Sequence, residues 1–178
     1  MWKKWILLAF IVLLLSECKK TEKEPRNNGE ILLSSELLQS GQDYIFYGFS
    51  FTTGEISTYS ITSSVSPDLS AVHVIMGDNI TVDLSGSNDA AAFYLNGTFP
   101  DAAEAEDYFN NYTEVVAVDF QAIAHSVQEN QVWTVQTASN RFAKIWIEEI
   151  TYKEGPLSKY ADLRIRYQYQ PDGSRTFE

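Results

Sequence analysis

From Ala161 to Gln170 the chain alternates with a period of two: Leu163, Ile165, Tyr167 and Tyr169 fall on one side, Arg164, Arg166, Gln168 and Gln170 on the other. Successive side chains of an extended strand point to opposite faces, so the pattern calls for a sheet with one dry face and one wet face. A helix would scatter the same residues around its circumference. Any fold for this chain must therefore supply a second layer to cover the apolar row.

The same rhythm recurs upstream. Ile45, Tyr47, Phe49 and Phe51 alternate with Phe46, Gly48 and Ser50, and Thr52-Thr53-Gly54 then turns the chain. Ala71 to Met76 is an apolar run that reads as a buried strand; Gly77-Asp78-Asn79 leads from it into Ile80 to Leu84, which predicts a hairpin. Ala91 to Leu95 reads as a short strand closed by Asn96-Gly97, and Val132 to Thr137 and Ala143 to Ile150 as two more. Pro171-Asp172-Gly173 fits a type I turn, with Arg175 to Glu178 as a last short edge. One segment breaks the pattern. Asp101 stands three residues before Glu104 in capping-box spacing, and Ala102, Ala105, Phe109 and Tyr112 recur at helical intervals, which predicts a helix from Ala102 to Asn111. A second, shorter turn of helix is expected from Asp119, with Phe120, Ile123, Ala124 and Val127 on one side. The expected fold is mainly β: an antiparallel β-sandwich with one or two short α-helices, forming a single domain over residues 31–178.

Ahead of that domain, Met1-Trp2-Lys3-Lys4 is followed by eleven apolar residues, Trp5 to Leu15. A basic start and a short apolar run make a secretory signal; a spanning helix needs roughly 20 apolar residues. Leu15-Ser16-Glu17-Cys18 resembles the lipobox of bacterial lipoproteins, with Glu17 where a small residue is usual. The resemblance implies that residues 1–17 are removed and that Cys18 carries the lipid that holds the protein on a membrane. The other reading is a plain secretory signal beside an unmodified cysteine. Buried acyl methylenes are worth about 0.8 kcal/mol each, so several chains make a lasting anchor. Residues 18–30 are polar, with a Pro and a Gly, and read as the lipidated tether. The expected location is the bacterial cell envelope, on the outer membrane, facing the periplasm or the outside.

Residues 27–140 contain fifteen acids and no Lys or Arg, and the whole chain has a formal charge of −11. Nucleic acid is excluded as partner, since that affinity rests on neutralising phosphates with Lys and Arg. The acidic stretch serves solubility or offers a surface to a cationic partner or a divalent ion. Within it Asp78, Asn79, Asp83, Ser85, Ser87, Asn88 and Asp89 are rich in oxygen, but their spacing matches no calcium loop and reads as turn chemistry. Asn79, Asn96 and Asn111 each begin an N-glycosylation acceptor triplet, which in a bacterial lipoprotein is coincidence. A single cysteine excludes a disulfide framework and any multi-cysteine metal site.

No hydrolase, P-loop, metalloprotease or dinucleotide motif occurs; of the paired carboxylates, Glu148-Glu149 and Glu104/Glu106/Asp107, the second group is the wet face of a helix, and no enzyme is expected. The only histidines are His73, inside the apolar run, and His125, which points away from the Phe120 side. His73 is either a satisfied core residue or a ligand facing a pocket. With Met76 as a soft alternative, these are candidate axial ligands for haem iron, no cofactor being the first expectation.

Val132-Trp133-Thr134-Val135 through Ala143-Lys144-Ile145, Leu163 to Tyr167 and Gln170 to Ser174, with Tyr47 to Phe51 and Gly54, resemble the closing and opening strands of HmuY-like envelope lipoproteins. The resemblance implies an all-β fold and, for the best-known members, haem capture through two axial side chains. The functional expectation is a non-enzymatic, membrane-anchored module that binds a protein, glycan or small ligand; the alternative is a haem scavenger. Mass spectrometry of the native product is expected to show a chain that begins at an acylated Cys18; a free thiol there, or residues 1–17 still attached, would contradict the lipobox.

Overall fold

The computed structural model describes residues 27–86, 92–117 and 119–177; the signal segment, Cys18, most of the tether and residues 87–91 lie outside them. In chain order the strands are β1 (Asn28–Ser34), β2 (Leu38–Ser40), β3 (Asp43–Ser50), β4 (Glu55–Ser60), β5 (Leu69–Met76) and β6 (Asn79–Ser85). Then come β7 (Phe93–Thr98), helix α1 (Ala102–Asn111), β8 (Ile123–Ala124), β9 (Gln131–Gln136), β10 (Phe142–Glu154) and β11 (Lys159–Gln170). They form two antiparallel sheets. Sheet A has the order β1-β11-β10-β9-β7, and sheet B the order β2-β3-β5-β6-β8, with β4 along the other side of β3.

The alternation in β11 is what joins the sheets. Leu163, Ile165, Tyr167 and Tyr169 all face inward and are buried. Opposite them, Phe49 and Phe51 are fully buried, with ring centroids 5.0 Å and 5.7 Å from Tyr167, and Phe51 lies 5.5 Å from Tyr169. Burying each such side chain contributes about 1.5–3 kcal/mol.

Strand β10 departs from the one-dry-face rule. Phe142 through Ile147 are buried without interruption. Ala143, Ile145 and Ile147 face sheet B, while Phe142, Lys144 and Trp146 are covered from the other side by α1 and the carboxy-terminal segment. The helix spans the expected residues, and Asp101 caps it, its Oδ1 accepting from the Glu104 N–H at 3.0 Å. That cap contributes about 1 kcal/mol. Ala105 and Phe109 bury themselves on Val132 and Trp146. The outward row of β11 is only partly wet for the same reason: Arg166 lies over the Trp146 ring and pairs with Glu106 of α1 at 2.6 Å and with Glu148 at 2.7 Å.

Four sequence expectations need correction. The second helix does not form. Ile123 and Ala124 pair with Ser85 and Leu84 instead, Ser126 takes a left-handed φ of 49° and gives its N–H to Asp83, and Val127 bonds the Val82 carbonyl. Sheet pairing there satisfies backbone groups that a lone helical turn leaves open. The apolar run Ala71–Met76 is not wholly buried: β5 and β6 make the expected hairpin around Gly77, but Val72, Ile75 and Met76 are exposed. Asn96-Gly97 does not close β7; the strand continues to Thr98 across a bulge between Leu95 and Gly97. The final edge is reduced to a bridge between Thr176 and Glu114.

Lys144 is the one buried lysine, 2% exposed among the described residues. Its ammonium donates to the carbonyls of Phe109 and Tyr112 at 2.7 Å and 2.8 Å and sits over the rings of Phe109 and Phe177. A helix end leaves its last carbonyls without partners and carries partial negative charge, and a cation there answers both. Burial still pushes the ammonium down to about 8 from the ordinary 10.5. The unfolded chain therefore binds more protons than the folded one between those values, and stability from this group rises with pH across that window. Relative to Lys144→Met, wild-type protein is expected to gain up to about 3 kcal/mol in unfolding free energy as the pH rises from about 8 to about 10.5, measured by denaturant titration.

Candidate functional site

Strand β3 stands at a fork in sheet B. One edge pairs with β4, from Ile45 opposite Ser60 to Ser50 opposite Glu55. The other edge is divided. β2 takes Asp43 to Ile45, whereas β5 takes only Gly48 and Phe49. Beyond Ser70, β5 leaves β3 and continues with β6 alone, while β2 enters the widening gap. The connection from β4 to β5 folds back over the outer face and sets the Pro67 ring on Gly48, where any Cβ would collide with it.

A cleft of about 350 Å³ fills this fork. Its walls are chiefly apolar: Leu37, Phe46, Ile61, Ala71 and Val72. Phe46 is stacked on Tyr59 at 5.9 Å. The polar groups are Ser35, Ser70, Ser85 and His73. Ser70 and Ser85 face each other across β5 and β6 with hydroxyls 2.7 Å apart. Leu37 also borders a second apolar hollow of about 360 Å³, made with Leu38, Pro156 and Leu157. At the foot of β5, Asp68 accepts from the Phe51 N–H at 2.9 Å and the Ser50 hydroxyl at 3.2 Å; burial raises its carboxyl above the usual range and those two bonds pull it back.

Of the three candidate iron ligands, only His73 lines the cleft. Both of its ring nitrogens are engaged. Nδ1 lies 2.8 Å from the Ser35 carbonyl and Nε2 lies 3.0 Å from the Ser158 hydroxyl. A carbonyl only accepts, so Nδ1 carries a hydrogen, and the neutral ring then offers its lone pair to Ser158. Ser35 is bound in turn to Ala161, so His73 ties the β1–β2 connection to the β10–β11 hairpin. His125 lies elsewhere, with Nδ1 2.8 Å from Asp83 and its side chain 69% exposed. Asp83 faces the outside of β6, the opposite face from His73. Met76 is at the hairpin tip, 63% exposed. These residues do not fit an axial pair for haem, which needs two free donors converging on one cavity.

Cys18 lies outside the described residues, as do Ser87, Asn88 and Asp89 of the oxygen-rich stretch. Among the described residues no group of three or more His, Cys, Asp or Glu is placed to hold a metal ion. No helix among them is long and apolar enough to cross a membrane. Comparison with protein-family models, curated proteins and solved structures returns no match.

Sequence reasoning missed the cleft because its lining comes from five separate segments. One signal was present: Phe46 and Tyr44 put two aromatic rings on the outward face of β3, ahead of Gly48 and Ser50. Hemin is expected to give no sharp Soret band that depends on His73 or His125. His73→Ala is instead expected to cost about 1–3 kcal/mol in unfolding free energy, because the Ser35 carbonyl and the Ser158 hydroxyl lose their partner.

Proposed function

We propose that this chain is a non-catalytic binding module of the bacterial cell envelope, tethered through a lipid on Cys18, and that it holds a small, largely apolar ligand in the cleft between β3 and β5. The observation that carries the reading is the cleft itself, with Phe46, Val72 and Ile61 around a space of about 350 Å³. Ligand sites usually begin at about 300 Å³ and combine apolar walls with a few polar groups that set orientation. Ser70 and Ser85 supply such groups.

Val72 and Ile61 remain 46% and 60% exposed. Covering that surface with an apolar ligand yields about 25 cal/mol for each Å² removed from water. The cleft is rigidly framed, since β5 is paired to β6 and Pro67 is packed on Gly48. A framed cleft loses little ordering entropy when it is filled.

Catalysis is not part of this reading. Among the described residues the one hydroxyl–imidazole contact, Ser158 with His73, joins the two sheets. The tether supports a role at a membrane surface: it is polar and, at about 3.3 Å per residue, its ten residues 18–27 ahead of β1 give the domain a reach of up to about 33 Å.

N-phenyl-1-naphthylamine, an uncharged probe that fluoresces in apolar surroundings, is expected to brighten on adding the protein. Val72→Trp, which fills the mouth of the cleft at an exposed position, is expected to weaken that binding at least about fivefold with an unchanged circular dichroism spectrum, roughly the loss of one apolar contact in a pocket. No brightening, or equal binding by the variant, would reject the cleft as the binding site.

A further inference from the structure

The residues that line the cleft all fall between Ser35 and Ser85, inside the 27–140 stretch that holds fifteen acids and no Lys or Arg. Among the described residues no lysine or arginine lines the cleft. The bases after Asn140 belong to β10, β11 and their flanks, and they are taken up there. Arg164 pairs with Glu30 and Glu149, Arg166 with Glu106 and Glu148, and Lys159 with Glu154. Arg175 donates to the carbonyls of Val115 and Ala117. Among the described residues no Lys or Arg pairs with a carboxylate on a strand of sheet B.

Two carboxylates are next to residues that line the cleft, without lining it themselves. Glu36 lies between the lining residues Ser35 and Leu37. Asp83 stands directly opposite Val72 in the β5–β6 pair, on the same outward face. Side chains so paired have Cβ atoms about 5 Å apart. Asp83 is fixed in place, its Oδ1 accepting from the Ser126 N–H and its Oδ2 meeting His125 Nδ1, both at 2.8 Å. Lys153 feels the charge of Glu36, but Asp162 holds its ammonium at 2.6 Å. An apolar wall beside carboxylates of one sign concentrates their field on whatever enters.

We infer that the cleft selects an amphipathic cation: an aromatic or aliphatic body that lies between Phe46 and Val72, carrying an amine toward Asp83 and Glu36. This rests on the reading of the cleft as the binding site and adds the charge of its ligand. An anion of the same shape meets the same apolar walls but like charge at the rim.

Three indoles of one body and different charge test it. Tryptamine, 3-methylindole and indole-3-propionate compete against bound N-phenyl-1-naphthylamine at about pH 8, above the ordinary histidine range. In low salt, tryptamine is expected to displace the probe at a concentration about threefold or more below 3-methylindole, and indole-3-propionate to need about threefold more, the scale of a partly screened ion pair. The ranking is expected to collapse at about 1 M salt, where the Debye length is about 3 Å, and in the double variant Glu36→Gln, Asp83→Asn. Equal displacement by all three, a preference for the propionate, or a ranking that survives salt or the double variant overturns the inference and leaves the cleft reading standing. Failure of the naphthylamine probe to bind overturns both.

Discussion

The contact between the inward face of β11 and the aromatic pair of β3 is the constraint on which the rest of the molecule depends. Phe49 and Phe51 meet Tyr167 and Tyr169 across the layer boundary, and these rings are buried. Leu33, Leu69, Leu84 and Ile165 close around them in one continuous core. Because side chains alternate along a strand, burying one row of β11 decides where the other row goes. The same holds for β3, so the depth of Phe49 also sets Phe46 on the outside, where the cleft forms.

The two sheets then meet different fates. Sheet A is closed on its far side by α1 and the segment ending at Phe177, which bury Trp146 and Lys144. The lysine is the pivot of that closure, since it answers two carbonyls at the end of α1 and supports rings from both covering pieces. Sheet B has no such lid among the described residues. Its outer face leaves Phe46 half-buried and Val72 exposed, and the division of β3's edge between β2 and β5 opens a recess there.

Charge follows the same partition. The described bases after Asn140 sit on or beside β10 and β11 and are matched by nearby carboxylates, carbonyls or a tyrosine hydroxyl. Among the described residues the acids on the strands of sheet B have no such answer from Lys or Arg. The folded domain is thus electrically two-sided, one face internally compensated and the other a net anion. A field of that kind decides which charged molecules approach, while the shape of the recess decides which of them stay.

Much of the architecture was legible in the residue order. The rows of β11 and β3, the hairpin around Gly77 and the capped helix from Ala102 to Asn111 are local patterns, set by strand and helix periodicity and by one side chain meeting one nearby N–H. So was the segregation of charge, which is a property of the order itself. The segment after Asp119 was not legible: its helical spacing lost to backbone partners on β6 and to Asp83, more than thirty-five residues away in the chain. The role of His73 was equally hidden, since the groups that hold it are Ser35 and Ser158. The cleft, too, exists only because β2 and β5 compete for one edge of β3, and edge sharing leaves no mark on either strand taken alone. Periodicity acts between neighbours and can be read along the chain, whereas the sharing of an edge and the partners of a buried ring depend on which distant segments the packed core brings together.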